Sequence, residues 1–212
     1  MDCIKSTETA NENIGREGGS QHQQAGKFEQ ELREAVYEFF GRQFTATIRV
    51  LSDEQMDCLT GNKNCAAITD REGNIYIRKG YESDGLHELV HAAGFQEDSV
   101  STFINEGFTQ LTAEIISSEK GIAIRQTYQD ETKTAELILR AIGEDRRALL
   151  QGYALAKDKS RYLTEALWKK YAHLFADAED WGRDPYKSMY RDLQSTYGYS
   201  PYLQEIFDHM EN

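Results

Sequence analysis

At 212 residues the chain is long enough for one domain with a sizeable core, or for two closely packed lobes. A formal net charge of −12 argues against a nucleic-acid partner, because the phosphate backbone repels such a surface. No apolar run approaches the roughly 18–20 residues that span a bilayer, and no signal-peptide pattern opens the sequence, so it reads as a soluble form without a transmembrane segment.

Residues 1–26 are polar, with Gly18-Gly19-Ser20 and Gln21, Gln23 and Gln24. Such a stretch cannot bury enough surface to offset its ordering entropy and is expected to be a flexible leader. From Lys27 the pattern turns helical: Phe28, Leu32, Ala35 or Val36, and Phe39 recur on one face, and Gly41 suits a C-terminal cap. Phe44–Leu51 is rich in β-branched residues and reads as a strand. A helical or loop segment carrying Cys58 follows. Cys65–Thr69 and Asn74–Arg78 read as two strands joined through Asp70-Arg71-Glu72-Gly73, a hairpin signal. In the second strand Ile75 and Ile77 should face one side and Tyr76 and Arg78 the other, one face packed and one exposed.

Ser83 or Asp84 is placed to cap a helix running from near Gly85 to Gly94. A second helix is expected over roughly Val100–Lys120, with Phe103, Ile104, Phe108, Leu111, Ile115 and Ile116 as its apolar face. Ile122-Ala123-Ile124 is a short strand candidate. From about Asp130 the chain reads as helices: Thr134–Ile142 ending at Gly143, Asp145–Ala156, Tyr162–Phe175, and two more starting near Pro185 and Pro201. Strands first and helices after predict an α+β fold, with a small sheet beside the Gly85 helix.

Three cysteines leave the compartment ambiguous. Cys58 and Cys65 flank a Gly-Asn-Lys-Asn loop and either form a short disulfide or stand as two free thiols. Cys3 heads the polar leader, as the lipid-modified first residue of a trimmed bacterial lipoprotein would, although no lipobox precedes it. A secreted or cell-envelope location is favoured over the cytoplasm on this reading; oligomeric state is not legible.

The stretch that carries chemistry is His87-Glu88-Leu89-Val90-His91. Two histidines four apart on a helix present both imidazoles on one face, where they can share one tetrahedral zinc. Glu88 flanks the metal without binding it and can take a proton from a water there. A catalytic zinc wants three protein ligands and an open position. Two glutamates compete for the third place: Glu97, six residues past His91 after a turn at Gly94, and Glu106, fifteen past it in Asn105-Glu106-Gly107-Phe108.

His-Glu-x-x-His followed by Asn-Glu-Gly-Phe resembles the gluzincin clan of zinc metallopeptidases, over about 25 residues from Leu86 to Gln110. The resemblance implies a zincin-like core at 27–121, with a mainly helical C-terminal lobe at 122–212 packed on it. It also implies one zinc per chain held by His87, His91 and Glu106, with Glu88 as base and proton shuttle on a peptide or protein substrate. Relatives often carry Asn-Glu-Gly-x-Thr-Glu; here Thr109-Gln110 puts an amide where the final acid would be. Glu97 fits instead a metzincin-like spacing, but there the third ligand is normally histidine or aspartate, and no convincing Met-turn follows. Such enzymes usually add a donor for the developing oxyanion, for which Tyr128 is the first candidate and Tyr153 the second. In zincins the strand before the active-site helix binds substrate along its edge, a role that falls on Asn74–Arg78. The alternative from another class is a zinc-stabilised interaction or toxin-like module with no proteolysis or a single target.

Overall fold

The computed structural model describes residues 19–94, 100–143 and 145–181, with 191 and 195. Cys3, Glu97, the first 18 residues of the expected leader and the helices expected near Pro185 and Pro201 lie outside the described residues. In chain order the elements are α1 (Gly19–Phe40), β1 (Ile48–Leu51), α2 (Asp53–Thr60), β2 (Ala67–Thr69), β3 (Ile75–Arg78), α3 (Gly85–Ala93), α4 (Thr102–Lys120), α5 (Gln129–Ile142), α6 (Arg146–Leu155) and α7 (Lys159–Trp181). The class is mixed α+β and mostly helical. Two compact units fall within Met1–Ala93 plus Ile116–Arg125 and within Gly94–Ile115 plus Gln126–Asn212.

In the first unit the three strands form a mixed sheet in the order β1-β3-β2. β2 and β3 are the expected antiparallel hairpin, with Thr69 opposite Ile75 and Ala67 opposite Ile77. The Asp70 carboxylate closes its turn by accepting from the Glu72 and Asn74 amides at 2.9 and 2.8 Å. β1 pairs parallel with β3, Ile48 opposite Ile75. This order corrects one expectation: β3 is the central strand, so both its edges are already hydrogen-bonded and it has none to offer a substrate. Arg78 is a second correction. It is 6% exposed rather than outward-facing, because α2 covers it. Its guanidinium meets the Asp57 and Asp53 carboxylates at 2.7 and 3.1 Å and the Cys65 carbonyl at 2.9 Å.

Cys65 is a free thiol whose Sγ donates to the Ala67 carbonyl at 3.3 Å. The Cys58–Cys65 bridge is therefore not formed. α1 begins at Gly19, ahead of the apolar periodicity that starts near Lys27, and Gly41 ends it in the left-handed region, its amide reaching the Tyr37 carbonyl at 2.7 Å. Ile122–Ile124 has no regular structure.

The buried face of α3 follows from its sequence. Leu86, Leu89, Val90 and Ala93 repeat at helical spacing, are buried, and lie against α1 and the sheet. Each leucine so buried is worth about 1.5–3 kcal/mol. Gly85 allows this packing, since a Cβ there would stand 3.2 Å from both Ile77 Cδ1 and Leu32 Cδ1. A 3-10 turn over Glu82–Asp84, with no side-chain cap, leads into the helix. At the other end the Arg42 guanidinium donates to the Ala93 carbonyl, one of the orphan acceptors of the last turn.

In the second unit Ile104, Phe108 and Leu111 of α4 are buried, as are Ile138 and Leu139 of α5, Leu149, Leu150 and Tyr153 of α6, and Leu163 and Leu167 of α7. Asp145 caps α6 by accepting from the Ala148 amide at 2.8 Å, and Gly143 ends α5 with φ +70°. Among the described residues no helix is long and apolar enough to cross a membrane.

Candidate metal centre

α3 fixes the two histidines. With the apolar stripe turned inward, His87 and His91 share a neighbouring face one turn apart. Their ring centroids are 4.8 Å apart, the planes are inclined at 71°, and the two Nε2 atoms are 3.1 Å apart. Glu106 comes from the first turns of α4. The ligand atoms of His87, His91 and Glu106 all lie within 4.8 Å of one another, a group that could hold a metal ion.

Glu88 is buried, and a residue no sequence pattern marks holds its carboxylate. The Thr69 hydroxyl, at the end of β2, lies 2.6 Å from Glu88 Oε2 and 3.0 Å from the Glu88 carbonyl oxygen. A hydroxyl has one proton to give, and the shorter, charged acceptor is the stronger partner. Cys65, on the approach to the same strand, carries a thiol whose acidity is pushed down, first by burial and then by the negative charge of Glu88, with Arg78 acting the other way.

Asp84 is the other neighbour that the sequence reading cast differently. Instead of capping α3, its carboxylate is buried and takes an ion pair from Arg125 at 2.6 Å. Burial raises its pKa above the ordinary aspartate value, and the charges of Arg125 and His87 oppose that rise without cancelling it. Arg125 also stacks over the Tyr81 ring, 5.1 Å from its centroid.

The tyrosine candidates occupy different settings. Tyr128 precedes α5 in a left-handed conformation, φ 54°, uncommon for a residue with a Cβ. Its carbonyl accepts from the Thr132 hydroxyl at 2.7 Å, and its side chain is exposed without capping the helix. Tyr153 is buried, stacked on Phe108 with centroids 4.1 Å apart, and its hydroxyl donates to Asn105 Oδ1 at 3.3 Å. Gln110, the amide in place of the acid, is buried; its Nε2 donates to Glu114 at 3.3 Å and its Oε1 accepts from Thr127 at 3.2 Å.

Gly107 of the Asn-Glu-Gly run has a packing reason. A Cβ there would overlap the backbone carbonyl of Glu131, so α4 and the first turn of α5 approach backbone to backbone. Glu131 therefore meets α4 through its main chain.

Compared with protein families, with curated proteins and with solved structures, the chain matches none of them.

Proposed function

We propose that this chain is a zinc-dependent peptidase in which His87, His91 and Glu106 hold the metal and Glu88 is the general base. The observation that carries the reading is that the ligand atoms of those three side chains lie within 4.8 Å of one another. The donor set fits zinc. Two nitrogens bound at about 2.0–2.1 Å around a tetrahedral ion stand about 3.3 Å apart, and the two Nε2 atoms are 3.1 Å apart.

A zinc ion held there would supply Lewis acidity to a substrate carbonyl and make a water acidic near neutrality. The rest is the work of the chain. Glu88 takes the proton of the attacking water and hands it to the departing amide nitrogen, so one carboxylate serves as base and then acid. Thr69 keeps that carboxylate in one orientation through both transfers. Tyr128 is the proposed donor to the carbonyl oxygen as it gains charge; its exposed phenol supports that part. β2, not β3, is the edge strand beside α3, and its outer edge is the proposed seat of an extended peptide.

The test is metal content and hydrolysis measured together. Purified protein should carry about one zinc per chain by elemental analysis and cleave members of a quenched-fluorescence peptide library. Glu88→Gln should lower the cleavage rate by orders of magnitude with zinc retained, and His91→Ala should lose the zinc. Absence of zinc from the wild type, or full activity in Glu88→Gln, overturns the reading. A zinc-stabilised interaction module would be indifferent to Glu88→Gln.

A further inference from the structure

One cluster in the helical unit is built around the residue that precedes Glu106. Lys159, at the start of α7, is 4% exposed, and its ammonium donates to Asn105 Oδ1 at 2.6 Å. The Tyr153 hydroxyl donates to the same oxygen at 3.3 Å, and Lys159 Nζ lies 5.2 Å from the Tyr153 ring centroid. Burying an ammonium is costly unless its protons find acceptors, and an apolar side chain of the same length would fill that volume at no such cost. Lysine can only donate, so Oδ1 faces Lys159 and the amide orientation of Asn105 is fixed.

The residue after Glu106 is tied down as well. Gly107 meets the backbone of α5 at Glu131. Residues 105 and 107 are thus each anchored to the C-terminal helices, one by hydrogen bonds and one by close approach, and Glu106 sits between them on a single turn. Such anchoring matters for a metal ligand. A 20° roll of a helix moves a carboxylate some 6 Å from its axis by about 2 Å, whereas metal–ligand distances tolerate about 0.2 Å.

We propose that Lys159 and Tyr153 are positioning residues for the third metal ligand, holding Asn105 so that the α4 turn presents Glu106 at the orientation the metal requires. This rests on the zinc reading above. It assigns a part in presenting Glu106 to two residues that touch neither metal nor substrate.

The experiment uses the full chain, with zinc affinity measured by competition against a chelating dye and the thermal midpoint of the metal-free protein measured in EDTA. Lys159→Met should weaken zinc binding about tenfold, and Tyr153→Phe by about threefold on the same scale, while the metal-free midpoints stay within a few degrees of wild type. The sign is diagnostic. Removing a positive charge would by itself strengthen binding of a divalent cation, so a loss reports positioning. Cobalt substitution adds a spectroscopic reading: the visible absorption of the bound ion should change in both variants. Zinc affinity equal to or tighter than wild type in a folded Lys159→Met overturns this inference alone. If that variant does not fold, Tyr153→Phe decides, since it removes one oxygen and keeps the stack on Phe108; unchanged affinity there overturns it. A wild type that takes up no zinc overturns the zinc reading and this inference together.

Discussion

Replacing Thr69 with valine tests how Glu88 is held. Valine has nearly the shape of threonine and suits a strand, so β2 should keep its pairing with β3. What disappears is the hydroxyl 2.6 Å from Glu88 Oε2. A hydrogen bond to a charged group is worth about 1.5–3 kcal/mol net. Only the part that keeps the carboxylate aligned for proton transfer bears on the rate. If about half of that value is orientation, the barrier rises by about 0.75–1.5 kcal/mol, roughly a four- to twelvefold fall in kcat. KM and zinc content should not change, because the substitution removes neither a proposed metal ligand nor a main-chain group of the proposed strand edge. Thr69→Ser keeps the donor and should retain most of the rate. The assay is steady-state cleavage of the best peptide from the quenched library, with zinc measured on the same samples. Wild-type kcat in Thr69→Val, or equal losses in the valine and serine variants, would refute the argument.

Chelation should lower the melting temperature: at zinc a thousandfold above its dissociation constant, binding adds about 4 kcal/mol, roughly 8–16 °C for a protein of this size. A melting curve unmoved by EDTA contradicts metal binding to the folded state. Gly107→Ala should destabilise in urea by up to about 2 kcal/mol, because an overpacking cost of about 1–3 kcal/mol offsets or exceeds the roughly 1 kcal/mol helix preference for alanine; a more stable variant contradicts the close approach to Glu131. Partial burial pushes the Asp70 acid up, but bonds from Asn74 and Glu72 hold it below the ordinary aspartate range. A carboxyl depressed in the folded state contributes stability above its unfolded value and loses it as pH falls through the folded one. Asp70→Ala should therefore cost about 1 kcal/mol at pH 7, shrinking below about pH 4, as read from urea curves at both pH values; a cost independent of pH would be inconsistent with that role.

Local features were legible in the sequence and neighbours were not. The hairpin over Asp70–Gly73, the stop at Gly41, the helix start near Asp145 and the Gly85–Ala93 helix all follow from chemistry within a few residues. His87 and His91 belong to the same class, being one turn apart on one helix. Strand order is different in kind. The alternation in Asn74–Arg78 is the same whether that strand is central or at an edge, and its pairing with β1 depends on a segment more than twenty residues away. Arg78 was misplaced for the same reason: period-2 alternation says it faces away from Ile77, but not that α2 waits there with Asp53 and Asp57. Lys159 carries no signal at all, since its partner Asn105 is 54 residues upstream.

The sheet order also changes what β2 is for. Among the described residues, with β3 closed on both sides, the strand beside α3 that retains an open edge is β2. Its last residue, Thr69, stands opposite Ile75 in the register and reaches Glu88 through its side chain. A peptide added along β2 would therefore engage the strand that orients the base, and any slip of that strand would move Thr69 relative to Glu88. Substrate binding and base alignment are then coupled through one three-residue strand, a coupling that a central β3 alone does not provide. Asp70 anchors the turn at the end of that strand, so loosening it should reach the rate as well as the fold. In the proposed enzyme, Asp70→Ala should lower kcat even under conditions where the protein remains fully folded.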